Sequence, residues 1–225
     1  MEYGIIIAIA IIIITLIVND YKRYKHSYYS QITNHSYLAI HFNAGISGEY
    51  SLYKRIQSFE MIGCKFLFNL YIPRQNGATS EIDIVMLHPK GLFVIESKNY
   101  SGWIFGKEYQ KQWVETFPNG DKYRFYNPIM QNATHIRAVR KIVNDRIPIY
   151  SIIAFSDQCT LKDVTIKSDI IVTYYNSLAL NISHKLNSLT HNDMSTELFN
   201  ETYSKLYQYS QADDLTKAQH LQNLY

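Results

Sequence analysis

Apolar residues fall into three patterns along this chain. From Gly4 to Val18 they run for fifteen residues without a charge, nine of them Ile. Through the middle of the chain they alternate with polar residues, or form short pure runs between turn residues. From about Asn176 the pattern reads helical. Ile46, Tyr50, Tyr53 and Ile56 recur at spacings of three and four, which predicts a helix over residues 45–60. Phe66 to Ile72 reads as a strand, ended by Pro73 and the turn signal Gln75-Asn76-Gly77. Residues 81–87 and 92–98 read as two strands around the turn His88-Pro89-Lys90-Gly91, so 81–98 forms a hairpin. Short strands are expected between Trp103 and Trp113 and near Tyr123, around Pro118-Asn119-Gly120. Asn127-Pro128 opens a helix running to about Asn144, with Pro at the first helical position. Ile149 to Phe155 is apolar enough for a buried strand, and Asp169 to Thr173 reads as another. Ser210-x-x-Asp213 fits a capping box ahead of a final helix. Helix, three strands, helix, strand implies an α/β layer with a mixed sheet.

The first segment stands apart. At about 1.5 Å per residue, fifteen helical residues span roughly 22 Å. Counted from Met1 the span is about 27 Å, close to a hydrocarbon core of about 30 Å. Tyr3 and Tyr21 stand where interfacial aromatics sit, and Lys22 can snorkel. A secretory signal would begin with positive charge and offer a small-residue cleavage site; this one begins with Glu2 and has no Ala-x-Ala before the basic residues. A membrane anchor is therefore expected, contacting lipid through residues 4–18. Lys22, Arg23 and Lys25 follow the span directly, which puts the rest of the chain in the cytoplasm. The expected organisation is a transmembrane anchor over 1–20, a polar juxtamembrane linker over 21–44, an α/β domain over 45–175 and a helical extension over 176–225.

Composition adds little. A net charge of +3 is compatible with a nucleic-acid partner but too mild to argue for one. Cys64 and Cys159 belong to no Cys/His cluster, which speaks against a zinc site. They read as two buried small hydrophobes in a reducing compartment.

The candidate chemistry lies on the hairpin. Asp83 sits among Ile82, Ile84 and Val85, and Glu96 and Lys98 follow Val94-Ile95. Side chains alternate along a strand, so Glu96 and Lys98 share a face, and strand pairing can bring Asp83 beside them. Two carboxylates and an ammonium in a half-buried sheet are costly unless paired or bound to metal. Mg2+ takes oxygen ligands from one or two carboxylates and keeps several waters. Held between Asp83 and Glu96, it could activate a water and polarise a phosphodiester oxygen, with Lys98 stabilising the charge that develops. Spacing alone is equally consistent with a structural ion pair.

An Asp followed by Glu-x-Lys on the next strand resembles the PD-(D/E)xK nucleases, which have a restriction-endonuclease-like fold. More narrowly, residues 45–140 resemble the nuclease-related domain, NERD. The residues that carry the likeness are Gly48-Glu49, Glu81-Ile82-Asp83, Gly91, Val94-Ile95-Glu96-Ser97-Lys98-Asn99-Tyr100, Gly102, Gly106, Trp113, Asn127-Pro128 and Gln131. The resemblance implies a mixed sheet flanked by helices, with Glu49, Asp83 and Glu96 as metal ligands, Lys98 as catalytic lysine and Gln131 supporting the site. It implies Mg2+ as cofactor, Mn2+ as its substitute, and DNA or RNA as partner. Ile82 stands where the superfamily nominally has Pro. His135 stands where related nucleases often have Tyr, and its role is open.

Other cations give weaker signals. Arg137, Arg140 and Lys141 follow Gln131 on one helix and could contact a nucleic-acid backbone. Lys90, Lys107, Lys111, Lys122 and Arg124 could form a phosphate-contacting rim or simply a solvated face. Trp103 and Trp113 could stack bases, although core packing is the plainer expectation for both. Against a membrane-anchored nuclease stand two other readings: a catalytically inactive binding or signalling module of the same fold, and a structural protein whose charges form a salt-bridge network. No protein partner is inferable.

Overall fold

The alternating residues form an antiparallel meander in the computed structural model, which describes residues 2–73, 79–190 and 193–211. Strands β1 (Lys65–Pro73), β2 (Thr79–His88) and β3 (Gly91–Lys98) pair in sequence, with Phe68 opposite Ile84 and Ile84 opposite Ile95. Gly91 makes the tight turn at φ 136°, and a Cβ there would lie 2.7 Å from the Pro148 carbonyl oxygen. The chain crosses over through α5 (Pro128–Arg140) to β7 (Ile149–Phe155), which runs parallel to β3, and β9 (Ile171–Tyr174) pairs parallel to β7. The sheet order is β1-β2-β3-β7-β9. The expected mixed sheet flanked by helices is present.

Both faces of this sheet are covered. Phe66, Phe68, Ile84, Met86, Phe93 and Ile95 pack against α4 (Ala44–Ile56) and α6 (Tyr175–Ser188). Leu67, Val85, Leu87, Leu92 and Val94 pack against α5 and α7 (Thr196–Tyr207). This double burial accounts for the unbroken apolar runs Ile84–Leu87 in β2 and Leu92–Ile95 in β3.

The short strands assemble into a second mixed sheet. β4 (Trp103–Lys107), β5 (Gln112–Thr116) and β6 (Lys122–Tyr126) are antiparallel neighbours, and β8 (Thr160–Thr165) joins β4 in parallel, giving β6-β5-β4-β8. Its inner face packs Ile104 and Trp113 against Ile153 and Phe155 of the main sheet. The Trp113 and Phe155 rings stack 6.1 Å apart and almost parallel.

Three expectations are corrected. Residues 21–44, expected as a polar juxtamembrane linker, are largely helical: α1 runs over Glu2–Lys25, and α2 (Tyr28–Thr33) and α3 (Ala39–Phe42) follow. Tyr24, Tyr29 and Ile40 are buried in the core under α4, because their apolar bodies outweigh their polar neighbours. The helix after Asn127 ends at Arg140, where Arg140 Nη1 donates to the carbonyls of Asn144, Asp145 and Ile147 and fixes the turn. The C-terminal helical reading is broken between α6 and α7.

The helical stretch Tyr3–Lys25 contains an 18-residue window with a mean hydropathy of 2.4 and is long and apolar enough to cross a membrane. Its Ile and Leu side chains from Ile5 to Ile17 are exposed. Cys64 and Cys159 are buried and free, and burial raises both thiols, to about 12 and about 11. The turn Gln75-Asn76-Gly77 and the final helix after Asp213 lie outside the described residues.

Candidate active site

Strand β3 delivers two of the charged groups. Glu96 and Lys98 are two residues apart, on one face, and Lys98 Nζ donates to Glu96 Oε1 at 2.6 Å. Helix α5 lies over them. Gln131 and His135 are four residues apart and so share a helical face. Gln131 Oε1 accepts from Lys98 Nζ at 3.1 Å, and His135 Nε2 lies 3.1 Å from Glu96 Oε2. The second contact is close but off-axis: neither atom has a hydrogen-bond partner among the described residues. Between them Asn132 fixes α5 to the sheet, donating to Val94 O, Ile152 O and Ser151 Oγ.

Asp83 comes from the neighbouring strand. Its Oδ2 accepts from the Ser97 amide at 2.7 Å. Opposite it on β1, Asn69 adopts a left-handed φ of 49°, and no residue pair is formed between Phe68–Ile84 and Leu70–Ile82. The strands twist here. Ile84 packs on the α4 face and Ile82 on the α5 face, with Asp83 at the crossing point.

Glu49 comes from α4, whose start is capped by Asn43 accepting from the Gly45 and Ile46 amides. Tyr29 Oη donates to Glu49 Oε1. Glu49, Asp83, Glu81, Asn69, Ser97 and Asn99 line a cleft of about 470 Å3. Ser97 points to the α6 side, where its hydroxyl meets Tyr175 Oη at 2.6 Å.

Burial and charge set the protonation pattern. Burial, then repulsion from Glu96, pushes Asp83 well above the usual carboxylate range, against Lys98 and the Ser97 amide. For Glu96, burial also acts upward, but Lys98 and His135 outweigh it and hold the carboxyl below its ordinary value. Burial would lower Lys98; Glu96 and Asp83 overcome it, so the side chain remains an ammonium. Burial pushes Glu49 up to about 8, against the Tyr29 and Asn69 hydrogen bonds. The site therefore holds a buried acid that favours its proton beside one that has lost it.

The donor set is hard oxygen, as Mg2+ requires. Asp83 and Glu96 fit such an ion. Adjacent buried carboxylates repel each other, and Glu96 Oε2 has no hydrogen-bond donor among the described residues. No group of three His, Cys, Asp or Glu side chains converges on one point among the described residues. Glu49, held by Tyr29, is the ligand of the expected set that is furthest committed elsewhere.

Of the sequence candidates, Glu96, Lys98 and Gln131 are in direct contact, and Asp83 and Glu49 share the cleft. Arg140 is occupied by backbone carbonyls, and Arg137 bonds Thr134 at 2.8 Å. Arg137 and Lys141 remain exposed. Two residues escape a sequence reading: Tyr29 lies in a stretch without periodicity, and the φ of Asn69 has no sequence mark. His135 is singled out by its helical spacing from Gln131, with its role left open.

The sequence model of the nuclease-related domain family, NERD, matches residues 44–156. An uncharacterised protein of Bacillus anthracis is 33% identical over 135 residues, covering 60% of this chain and 63% of that protein. The chain thus spans under two thirds of that relative's length. The crystal structure of AF1548, a protein of unknown function, covers 80% of this chain and 96% of its own at 12% identity, with a TM-score of 0.36. That likeness is too distant to bear on the site.

Proposed function

Because the chain belongs to the nuclease-related domain family, we propose that it is a membrane-anchored, Mg2+-dependent nuclease that hydrolyses DNA phosphodiester bonds. The observation that carries this reading is the Lys98 ammonium held between Glu96 and Gln131, one strand from Asp83.

Asp83 and Glu96 would hold the ion, with Glu49 joining them once it releases its proton. An Mg2+ held by these carboxylates would supply a water of lowered pKa and polarise a phosphoryl oxygen. Lys98 does the rest of the electrostatic work. As an ammonium it is a donor and a cation, so it orients the attacking water and opposes charge on the phosphate. Gln131 aims Lys98, and His135 and Lys98 together keep Glu96 anionic. Arg137 and Lys141 are proposed as phosphate contacts. Residues 4–18 would anchor the chain, and Lys22, Arg23 and Lys25 would keep the domain on the cytoplasmic side.

The test is cleavage of single- and double-stranded DNA and of RNA by the full chain in detergent, with Mg2+, Mn2+ or EDTA. Metal-dependent cleavage of DNA is expected, reduced at least about 100-fold in Lys98→Ala, the usual loss on removing one donor to a developing charge. Absence of cleavage by wild type, or undiminished cleavage in Asp83→Ala and Lys98→Ala, overturns it.

A catalytically inactive nucleic-acid-binding or signalling module has two observations in its favour: Glu49 is held by Tyr29, and among the described residues no three acids converge. Nucleic-acid binding without metal uptake would decide for it.

A further inference from the structure

The second sheet has one buried face and one open face. Along β4, Ile104 and Gly106 are buried while Trp103, Phe105 and Lys107 alternate outward. Along β5, Trp113 and Glu115 are buried and Val114 and Thr116 are partly exposed. On β6, Phe125 packs inward, leaving Lys122, Arg124 and Tyr126 on the outer side. A bulge in the pairing of β4 with β8 puts both Lys162 and Asp163 on the surface.

That open face carries aromatic rings among cations. Trp103 is 40% exposed and Tyr126 47%, whereas Trp113 is fully buried. Lys162 Nζ lies 5.2 Å above the Trp103 ring. Lys107, Lys122, Arg124 and Lys162 form no salt bridge among the described residues, and Asp163 is the one acid among these outward residues. Four cations against one carboxylate on an open sheet face, with two partly exposed rings, complement a phosphodiester strand whose bases are unpaired. A duplex buries its bases and offers no partner to the rings. Trp103 stands five positions after Lys98, so the face begins at most about 18 Å from the lysine of the site.

The geometry points to the outer face of the β6-β5-β4-β8 sheet as a binding platform for single-stranded nucleic acid. Lys107, Lys122, Arg124 and Lys162 meet the phosphates, and Trp103 and Tyr126 stack bases. As a statement of substrate strandedness it rests on the nuclease reading; as a binding surface it is tested without cleavage.

The test is fluorescence anisotropy of a labelled oligothymidylate with the full chain in detergent micelles and EDTA, over a salt series. Lys122→Ala and Arg124→Ala each should weaken binding and flatten the slope of log affinity against log salt by about 0.7. Lys122→Arg and Arg124→Lys should keep the slope. Trp103→Ala and Tyr126→Ala should weaken binding about tenfold with the slope unchanged, and Tyr126→Phe should restore it. A duplex of equal length should bind less tightly. Near-ultraviolet circular dichroism of the buried Trp113 checks that each variant is folded. Oligothymidylate binding that none of these substitutions alters overturns the inference. So does a loss confined to phosphatidylserine vesicles, which would assign the face to a lipid surface. Platform behaviour without any cleavage by wild type would sink the nuclease reading and leave the platform standing.

Discussion

Tyr29, from the short helix after the apolar span, donates its phenolic hydrogen to Glu49, the acid of the first domain helix. The donor lies outside the residues matched by the family, and the acceptor lies inside them. A charge-assisted hydrogen bond of this kind stabilises the carboxylate by roughly 1.5–3 kcal/mol. Tyr29→Phe removes it while keeping the ring that packs on Tyr53 and Phe68. If Glu49 is a metal ligand, Mn2+ binding near neutral pH should weaken about tenfold or more, as measured by titration calorimetry. Unchanged affinity would separate Tyr29 from the metal site.

Glu49 also makes stability depend on pH. Its carboxyl is pushed from an ordinary 4.5 up to about 8, chiefly by burial. Between those values the folded chain keeps a proton that the unfolded chain has lost. Its stability contribution is therefore intact below about pH 4.5 and is lost as pH rises toward 8. At about 1.4 kcal/mol per pH unit, the loss amounts to a few kcal/mol. Glu49→Gln abolishes the titration and can still accept from Tyr29. Its melting temperature should gain on wild type steadily between pH 5 and pH 8. A constant difference across that range would contradict the placement of Glu49.

The hairpin and its charges were legible because strand alternation is a local rule. Ile95 and Ser97 face one way and Glu96 and Lys98 the other, whatever packs above them. The first helix was legible from Ile46, Tyr50, Tyr53 and Ile56, all of which pack in or against the core. The second sheet was only half legible. In β8 the inward residues are Leu161 and Val164, three apart, because the bulge breaks the period of two. The packing of segment 21–44 was less legible because two of its three buried residues are tyrosines, whose hydroxyls count as polar in a sequence. Tyr24 donates to His35 O and Tyr29 to Glu49, which removes the cost of burying them.

His135 should be a positioning residue for Glu96. It is buried, and its Nε2 approaches Glu96 Oε2 at 3.1 Å. His135→Ala removes the imidazole that approaches this oxygen and attracts the Glu96 carboxylate. Its loss, with the cavity it leaves, costs on the order of 1–3 kcal/mol. The melting temperature should fall, and metal affinity should fall with it. His135→Gln, which can donate to Glu96, should recover part of both. Recovery of stability without recovery of metal affinity would confine His135 to the core.

Gly106 and Trp113 belong together for a steric reason. A Cβ at Gly106 would lie 2.2 Å from Trp113 Cδ2, far inside van der Waals contact. Trp113 cannot retreat, since it is stacked on Phe155 and its Nε1 donates to Lys107 O at 3.1 Å. Gly106→Ala must therefore separate the second sheet from the main one or expel the indole. Overpacking of this kind costs about 1–3 kcal/mol and more where nothing yields. The expected result is a lower melting temperature and a red-shifted tryptophan emission as Trp113 meets water. Trp103 also emits, so the comparison is made in a Trp103→Phe background. Gly106→Ala combined with Trp113→Leu should recover stability relative to Gly106→Ala alone, because the smaller side chain leaves room for the new methyl. A double variant no more stable than the single one would refute the steric account.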